Sequence, residues 1–212
     1  FRQTALHLHL LKSLRETIES KYEYSLILGI DHGDKYWHQH RAEILGVFTD
    51  KRNIDIETIY VKGGSFTKAI NAVAAYAYNR QNKRECDYFV RINDDSEFAS
   101  NGWTTLAVEK LKSYRPQNVG VVGPTVKEGN TNILVFDFVH RTHMDLFGTY
   151  YPTQLNNWWI DDWITNVYKP HNYAKLSKWK MKHVMKHGRR YSVNWKEKKS
   201  LADLVKKGKS IV

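Results

Sequence analysis

The residues of this chain that could do chemistry begin with an acidic cluster at the end of an apolar segment. Residues 87–92 alternate as a strand entering a sheet would. Asn93, Asp94 and Asp95 follow directly. Carboxylates this close repel one another unless a cation lies between them, and hard oxygen ligands suit Mg²⁺ or Mn²⁺. We therefore predict a divalent cation on Asp94 and Asp95. An Asx-rich turn is the alternative.

A second acidic pair, Asp161 and Asp162, follows Trp158 and Trp159. One carboxylate at a helix start can cap free backbone N–H groups. The other would point into the space beside the tryptophans, where it could accept a hydroxyl proton as a general base. Aromatic faces are natural platforms for sugar rings, although paired tryptophans are also common in cores.

Basic and imidazole side chains near the carboxyl end could complete such a site. His183 or His187 could return to the metal as a further protein ligand. Arg189, next to Arg190, could hold phosphate oxygens, since a planar guanidinium offers a bidentate grip.

Composition favours one domain with an uneven charge. The 212 residues carry a net charge of +11, and the single Cys86 excludes an internal disulfide and a cysteine zinc site. Residues 1–173 contain 20 basic and 20 acidic side chains, whereas residues 174–212 contain 13 and 2. A neutral body argues against nucleic acid as a partner. We expect the basic tail to cover an anionic ligand or contact an acidic partner or lipid surface, with a solvated Lys-rich helix as the alternative.

The chain shows neither a secretory signal nor an apolar run of spanning length, so we expect a cytoplasmic location. The alternation of helices and strands predicts an α/β fold with a mixed, mostly parallel sheet flanked by helices. In such sheets ligands collect at the carboxyl ends of strands, where Asp31 and Asn93–Asp95 fall. The predicted strands are 24–30, 54–61, 88–93, 118–124 and 132–139, and the predicted helices are 4–19, 66–79, 102–113, 141–147 and about eight residues after Asp162.

Taken in order, these features resemble the nucleotide-sugar-dependent glycosyltransferases of the GT-A fold, over most of residues 1–170. A weaker resemblance is to such domains within multidomain proteins of large algal viruses. The resemblance implies a nucleotide-binding half at 1–100, an acceptor and catalytic half at 101–173, and the basic tail at 174–212.

The resemblance also implies roles for individual residues. Asp31 would hold the nucleoside, Lys68 and Asn71 would lie beside the nucleotide, and Asn93-Asp94-Asp95 would be the Asp-x-Asp metal and ribose motif. Asp162, paired with Asp161, would be the catalytic base of an inverting enzyme. His183 or His187 would be the carboxyl-terminal metal histidine. The residues expected to bind the acceptor are Trp158, Trp159, His140 and Arg141.

The sequence departs from the family pattern at three points. Asn93 replaces the first Asp of the metal motif, and Asp161 stands where Glu is more usual. The family's first strand should precede the helix at 4–19, so we expect that a strand has been lost from the amino end.

The implied activity is metal-dependent transfer of a sugar from a nucleoside-diphosphate donor, with UDP as the default, to a glycan or other hydroxyl acceptor. The alternatives are a nucleotidyltransferase of related fold, a non-catalytic nucleic-acid-binding module that uses the basic tail, and a degenerate transferase that keeps only the nucleotide pocket.

Overall fold

The computed structural model describes residues 5–80, 85–127, 130–184 and 192–212, and over these ranges the chain is an α/β protein. Its first helix opens with a π-helical segment, Leu6–Leu11, and continues as α1, Lys12–Thr17. The other helices are α2 Lys35–Gly46, α3 Phe66–Tyr78, α4 Trp103–Lys112, α5 Thr142–Phe147, α6 Ile160–Tyr168 and α7 Trp195–Lys209. The strands are β1 Tyr24–Asp31, β2 Ile54–Val61, β3 Tyr88–Arg91, β4 Ser96–Phe98, β5 Val121–Val126, β6 Asp137–His140 and β7 Tyr173–His183.

The strands form two sheets, which confirms the predicted mixed pairing, but parallel pairs do not predominate among the described strands. One sheet is the parallel pair β1–β2, and the other has the order β3-β6-β5-β7-β4. In the second sheet only β5 and β7 are parallel, while β3–β6, β5–β6 and β4–β7 are antiparallel. Parallel neighbours need a long crossover, usually helical. Helix α2 supplies one between β1 and β2, whereas no described helix separates β5 from β6.

Strand β1 of one sheet and strand β3 of the other both line a cavity of about 320 Å³. Leu28 and Val90 belong to one hydrophobic cluster, and Ile27 and Phe89 belong to another. Since alternate residues of a strand point to opposite faces, β1 and β3 present matching faces to the same two layers. The sheets are therefore two parts of one layer, separated by the cavity.

A buried arginine ties the amino ends of these strands together. Arg80 Nη1 donates to Ser25 Oγ at 2.8 Å and contacts Cys86 Sγ at 3.6 Å, while Nη2 forms an ion pair with Glu57. Ser25 lies near the start of β1, and Cys86 precedes β3. The two strands that border the cavity therefore run in the same direction, and their carboxyl ends lie at the same rim.

The basic segment 174–212 is not a tail, because its described parts are ordered elements. Strand β7 lies inside the second sheet, with Trp179 and Met181 buried and Lys180 exposed between them. Helix α7 packs on α6 through Leu201 and Leu204. In β7 the lysines alternate with apolar residues, and the net charge of the segment does not show this alternation.

Candidate functional site

The cavity rim brings together side chains from the ends of β1 and β3. Asp31, Asp34 and Gly64 line it from the β1–β2 side, and Asn93 and Asp94 line it from the β3 side. The rest of its lining is largely apolar and comes from β1, β3, the first helix and α3. Because the rim is polar and the rest of the lining is largely apolar, the cavity suits a ligand whose polar groups lie at the rim.

Asp31 is exposed at the end of β1, beside two glycines. A Cβ on Gly63 would lie 3.2 Å from Asp31 Oδ1, so glycine leaves room for the carboxylate. Gly64 has a φ of +95°, a conformation that L side chains rarely adopt. Next to Asp31, the rings of His32 and Tyr60 stack with centroids 5.3 Å apart.

Asn93 carries a buried acceptor that the described residues leave without a donor. Its backbone N–H donates to Ser96 Oγ at 3.1 Å, which fixes the turn after β3. Its side-chain Oδ1 is buried and accepts no hydrogen bond from the described part of the chain. An unmade hydrogen bond at a buried oxygen costs about 1–3 kcal/mol, which a ligand N–H or O–H would recover.

Asp95 and His183 meet at 3.2 Å between Oδ1 and Nε2. Pairing of β4 with β7 sets Ser96 opposite His183, and Val184 N donates to Asp95 O at 2.8 Å. The predicted metal ligands Asp95 and His183 are thus brought together. His187 and the phosphate-binding candidate Arg189 lie outside the described residues.

A cation would find two protein donors here. Among the residues that the structure describes, no group of three His, Cys, Asp or Glu side chains is close enough to hold a metal alone. Mg²⁺ and Mn²⁺ often bind through one or two carboxylates and take the remaining ligands from water and substrate phosphates. The pair Asp95–His183 fits that mode better than it fits an all-protein cage.

The two carboxylates of the second acidic pair are held differently. Both lie in the first turn of α6, after Trp159 with a φ of +70°. Asp161 forms an ion pair with Arg91. Burial raises the pKa of Asp161 to about 6, although Arg91 opposes the shift. Asp162 is half-buried, which also raises its pKa, and no described side chain donates a hydrogen bond to its carboxylate. Asp162 is therefore the one available for proton transfer.

One of the two tryptophans beside this pair, Trp159, packs against the start of α7. Trp159 Nε1 donates to Asn194 O at 3.0 Å, and its ring lies 5.6 Å from that of Trp195. Lys198 Nζ lies 5.1 Å from the centre of the Trp159 ring. These contacts give Trp159 a packing role, and Trp158 is partly buried next to it.

His140 and Arg141, which were expected to bind the acceptor, lie at the wrong end of the sheet. Antiparallel pairing sets His140 opposite Tyr88, at the start of β3. Arg141 bonds to Glu85 and lies over the ring of Tyr78. Tyr88 and Asn93 are five positions apart in extended chain, which is roughly 16 Å. Burial also lowers the pKa of His140.

The start of α3 is tied to a loop. Phe66 N donates to Asn157 Oδ1 at 2.7 Å, and Thr67 N donates to Asn156 O at 2.8 Å. Asn71 bonds through its side chain to both backbone groups of Tyr151, each at 2.9 Å. The amide of Asn71 is thus occupied within the fold. Lys68, by contrast, is exposed in the first turn.

Sequence reasoning missed Arg91 and Asp137, which form a buried ion pair with Nη2 and Oδ2 3.0 Å apart. Each is a charged residue inside an otherwise apolar strand segment. Since an unpaired buried charge is very costly, two such residues on different strands were a signal that they pair.

Comparisons with known proteins do not assign this chain to a protein family. The chain matches no protein-family model, and searches of curated proteins and of solved structures find no match either. Within the described ranges, no helix has the length and apolar character needed to cross a bilayer.

Proposed function

We propose that this chain is a metal-dependent glycosyltransferase of GT-A type, which moves a sugar from a nucleoside-diphosphate donor, UDP by default, to a hydroxyl acceptor with inversion. One observation carries the proposal. Arg91 lines the cavity two residues before Asn93, and it also bonds to Asp161, the neighbour of Asp162. The acidic rim and the second acidic pair therefore belong to one region.

The donor would occupy the cavity rim. Asp31 and Asn93 Oδ1, to which none of the described residues donates, are acceptors suited to ribose hydroxyls and base N–H groups. Asp95 and His183 would hold Mn²⁺ or Mg²⁺, with Asp94 beside them. The bound cation would offset the negative charge of the departing diphosphate.

The acceptor hydroxyl would give its proton to Asp162. Because Asp161 is engaged by Arg91, the division of roles favours Asp162 as the base. The raised pKa of Asp162 makes its carboxylate a stronger proton acceptor than an ordinary aspartate.

Calorimetry with UDP-glucose, UDP-galactose, UDP-N-acetylglucosamine and their GDP counterparts, with and without Mn²⁺, tests the proposal. We expect binding of one donor class that depends on Mn²⁺ and is lost in Asp95→Asn. His140→Ala, at the end of β6 opposite the start of β3, is the matched control and should bind normally. Failure of every donor to bind would overturn the proposal. Binding of RNA with an affinity that falls steeply with salt would also overturn it, because that is the behaviour of a basic nucleic-acid-binding module.

A further inference from the structure

Arg91 carries a buried charge whose guanidinium nitrogens all donate hydrogen bonds. Nε donates to Tyr151 OH at 3.0 Å and to Asp137 Oδ2 at 3.2 Å. Nη1 donates to Val135 O at 2.7 Å, and Nη2 donates to Asp161 Oδ1. Arg91 is only 6% exposed. Its position is therefore fixed from several directions.

Asp137 is the fixed anchor of this group. It is fully buried and accepts from Tyr150 OH at 2.7 Å and from Tyr151 OH at 2.5 Å, besides its pairing with Arg91. The Asp161 side chain, which contacts the same Nη2 as Asp137, remains 29% exposed. One end of the chain of contacts is locked in the core, and the other reaches the surface of the candidate site.

Contact with Asp161 determines how α6 is turned about its own axis. Successive residues of an α-helix point about 100° apart, so fixing the direction of Asp161 fixes that of Asp162. Trp159, immediately before the helix, holds a φ of +70° that L side chains rarely adopt. Because this backbone conformation is unfavourable, the contact between Arg91 and Asp161 would help to hold the first turn of α6 in place.

We propose that Arg91 is a positioning residue that links the donor end of the site to its base, holding Asp161 so that α6 presents Asp162 to the acceptor. This inference rests on the proposed function. In the proposed function, Arg91 contacts neither the acceptor nor the metal. It acts through Asp161 on one side and through the turn to Asn93 on the other.

Three variants test the inference. Arg91→Lys keeps the charge but removes the planar fork that bonds two carboxylates at once. Asp161→Asn removes the negative charge that pairs with Arg91, and it provides the test if Arg91→Lys does not fold. Arg80→Met is the matched control, because Arg80 is also an arginine with a buried, ion-paired side chain beside the cavity, but its hydrogen bonds and ion pairs within the described ranges go to β1, β2 and Cys86 rather than to α6.

Two readouts separate positioning from simple stability. With donor and acceptor saturating, we expect Arg91→Lys and Asp161→Asn to lower kcat about 100-fold, as a small misplacement of a reacting group does, while donor Kd changes less than twofold. Hydrogen exchange of the amides of residues 160–164 should become faster in both variants. Arg80→Met should lower the midpoint of thermal unfolding without changing kcat or this exchange.

The two proposals fail in different ways. If the wild-type chain transfers no sugar, the proposed function fails, and exchange at 160–164 still reports whether Arg91 holds α6. If transfer occurs and Arg91→Lys keeps both the wild-type kcat and the wild-type exchange, the positioning role is overturned. A loss of kcat of the same size in Arg80→Met would also overturn it, because general destabilisation would then explain the effect.

Discussion

His183 Nε2 lies 3.2 Å from Asp95 Oδ1, although 87 residues separate the two side chains along the sequence. Antiparallel pairing between β4 and β7 makes this contact, since Glu97 faces Lys182 and Ser96 faces His183. The strand that carries His183 therefore sets one side of the candidate metal site through backbone geometry.

Replacement of this histidine should weaken metal binding. We expect His183→Ala to lower Mn²⁺ affinity at least about tenfold, because the site loses one of two adjacent protein donors. Electron paramagnetic resonance of free Mn²⁺ in a titration measures the affinity directly. His32→Ala, an exposed histidine next to Asp31, is the control and should bind Mn²⁺ as the wild-type chain does. Equal affinity in the wild type and His183→Ala would remove His183 from the site.

Replacement of the proposed base should abolish transfer and spare donor binding. Asp162→Asn should reduce kcat by about 10²–10⁴-fold, the usual contribution of a general base, and leave the donor Kd within twofold. Initial rates at saturating substrates, with calorimetry of donor binding, measure the two effects. Wild-type turnover in Asp162→Asn would show that another group takes the proton.

The pH dependence of transfer follows from the environment of the same residue. Partial burial raises the pKa of Asp162, so the carboxylate binds a proton at a higher pH than an ordinary aspartate would. Activity should therefore decline on acidification, beginning above the usual aspartate range. A rate profile from pH 4 to 8 checks this, measured over the range where circular dichroism shows a folded chain. A rate that rises on acidification would contradict the assignment.

The sequence was most informative where a segment's own residues decide its structure. Strand β2 has the predicted bounds, because apolar residues alternate with polar ones along Ile54–Val61. Helix α5 ends before Gly148, whose φ is +66°. Strand β7 was missed because its lysines suggested a solvated segment, and only its neighbours in the sheet show that Trp179 and Met181 face the core.

Candidate site residues were harder to place, because their positions depend on strand direction. The end of β3 was recognised, yet His140 was misplaced because the antiparallel course of β6 is not encoded in nearby residues. The contact of Arg91 with Asp161 joins residues 70 apart, so no local pattern reveals it. Charged residues inside apolar strands were the one available indication.

A buried histidine should make stability depend on pH in a known direction. His143 lies between Tyr168 OH and Tyr150 O, each at 2.8 Å, and burial lowers its pKa to about 4. Because the unfolded chain binds this proton near pH 6.5, stability from the neutral ring is complete above that value and is lost as pH falls toward 4. The loss should be on the order of 3 kcal/mol.

Denaturant unfolding of the wild type and His143→Gln between pH 4 and 8 measures this loss. Glutamine can keep both hydrogen bonds but does not titrate, so its profile should be flatter. Asp161 acts in the opposite direction, since its raised pKa adds stability as pH falls, but it is present in both proteins and cancels in the difference. Parallel profiles would mean that His143 does not titrate on unfolding.

Docking of α7 on α6 can be tested with two glycines. A Cβ on Gly208 would lie 2.6 Å from Cγ2 of the buried Val167 on α6, whereas a Cβ on Gly46, at the end of α2, would meet nothing within 4 Å. Gly208→Ala should therefore destabilise the fold by about 1–3 kcal/mol through overpacking. Gly46→Ala should be neutral or stabilise it by up to about 1 kcal/mol, since alanine favours helix. Chemical unfolding measures both, and equal stabilisation by the two substitutions would mean that α7 does not pack against Val167 in solution.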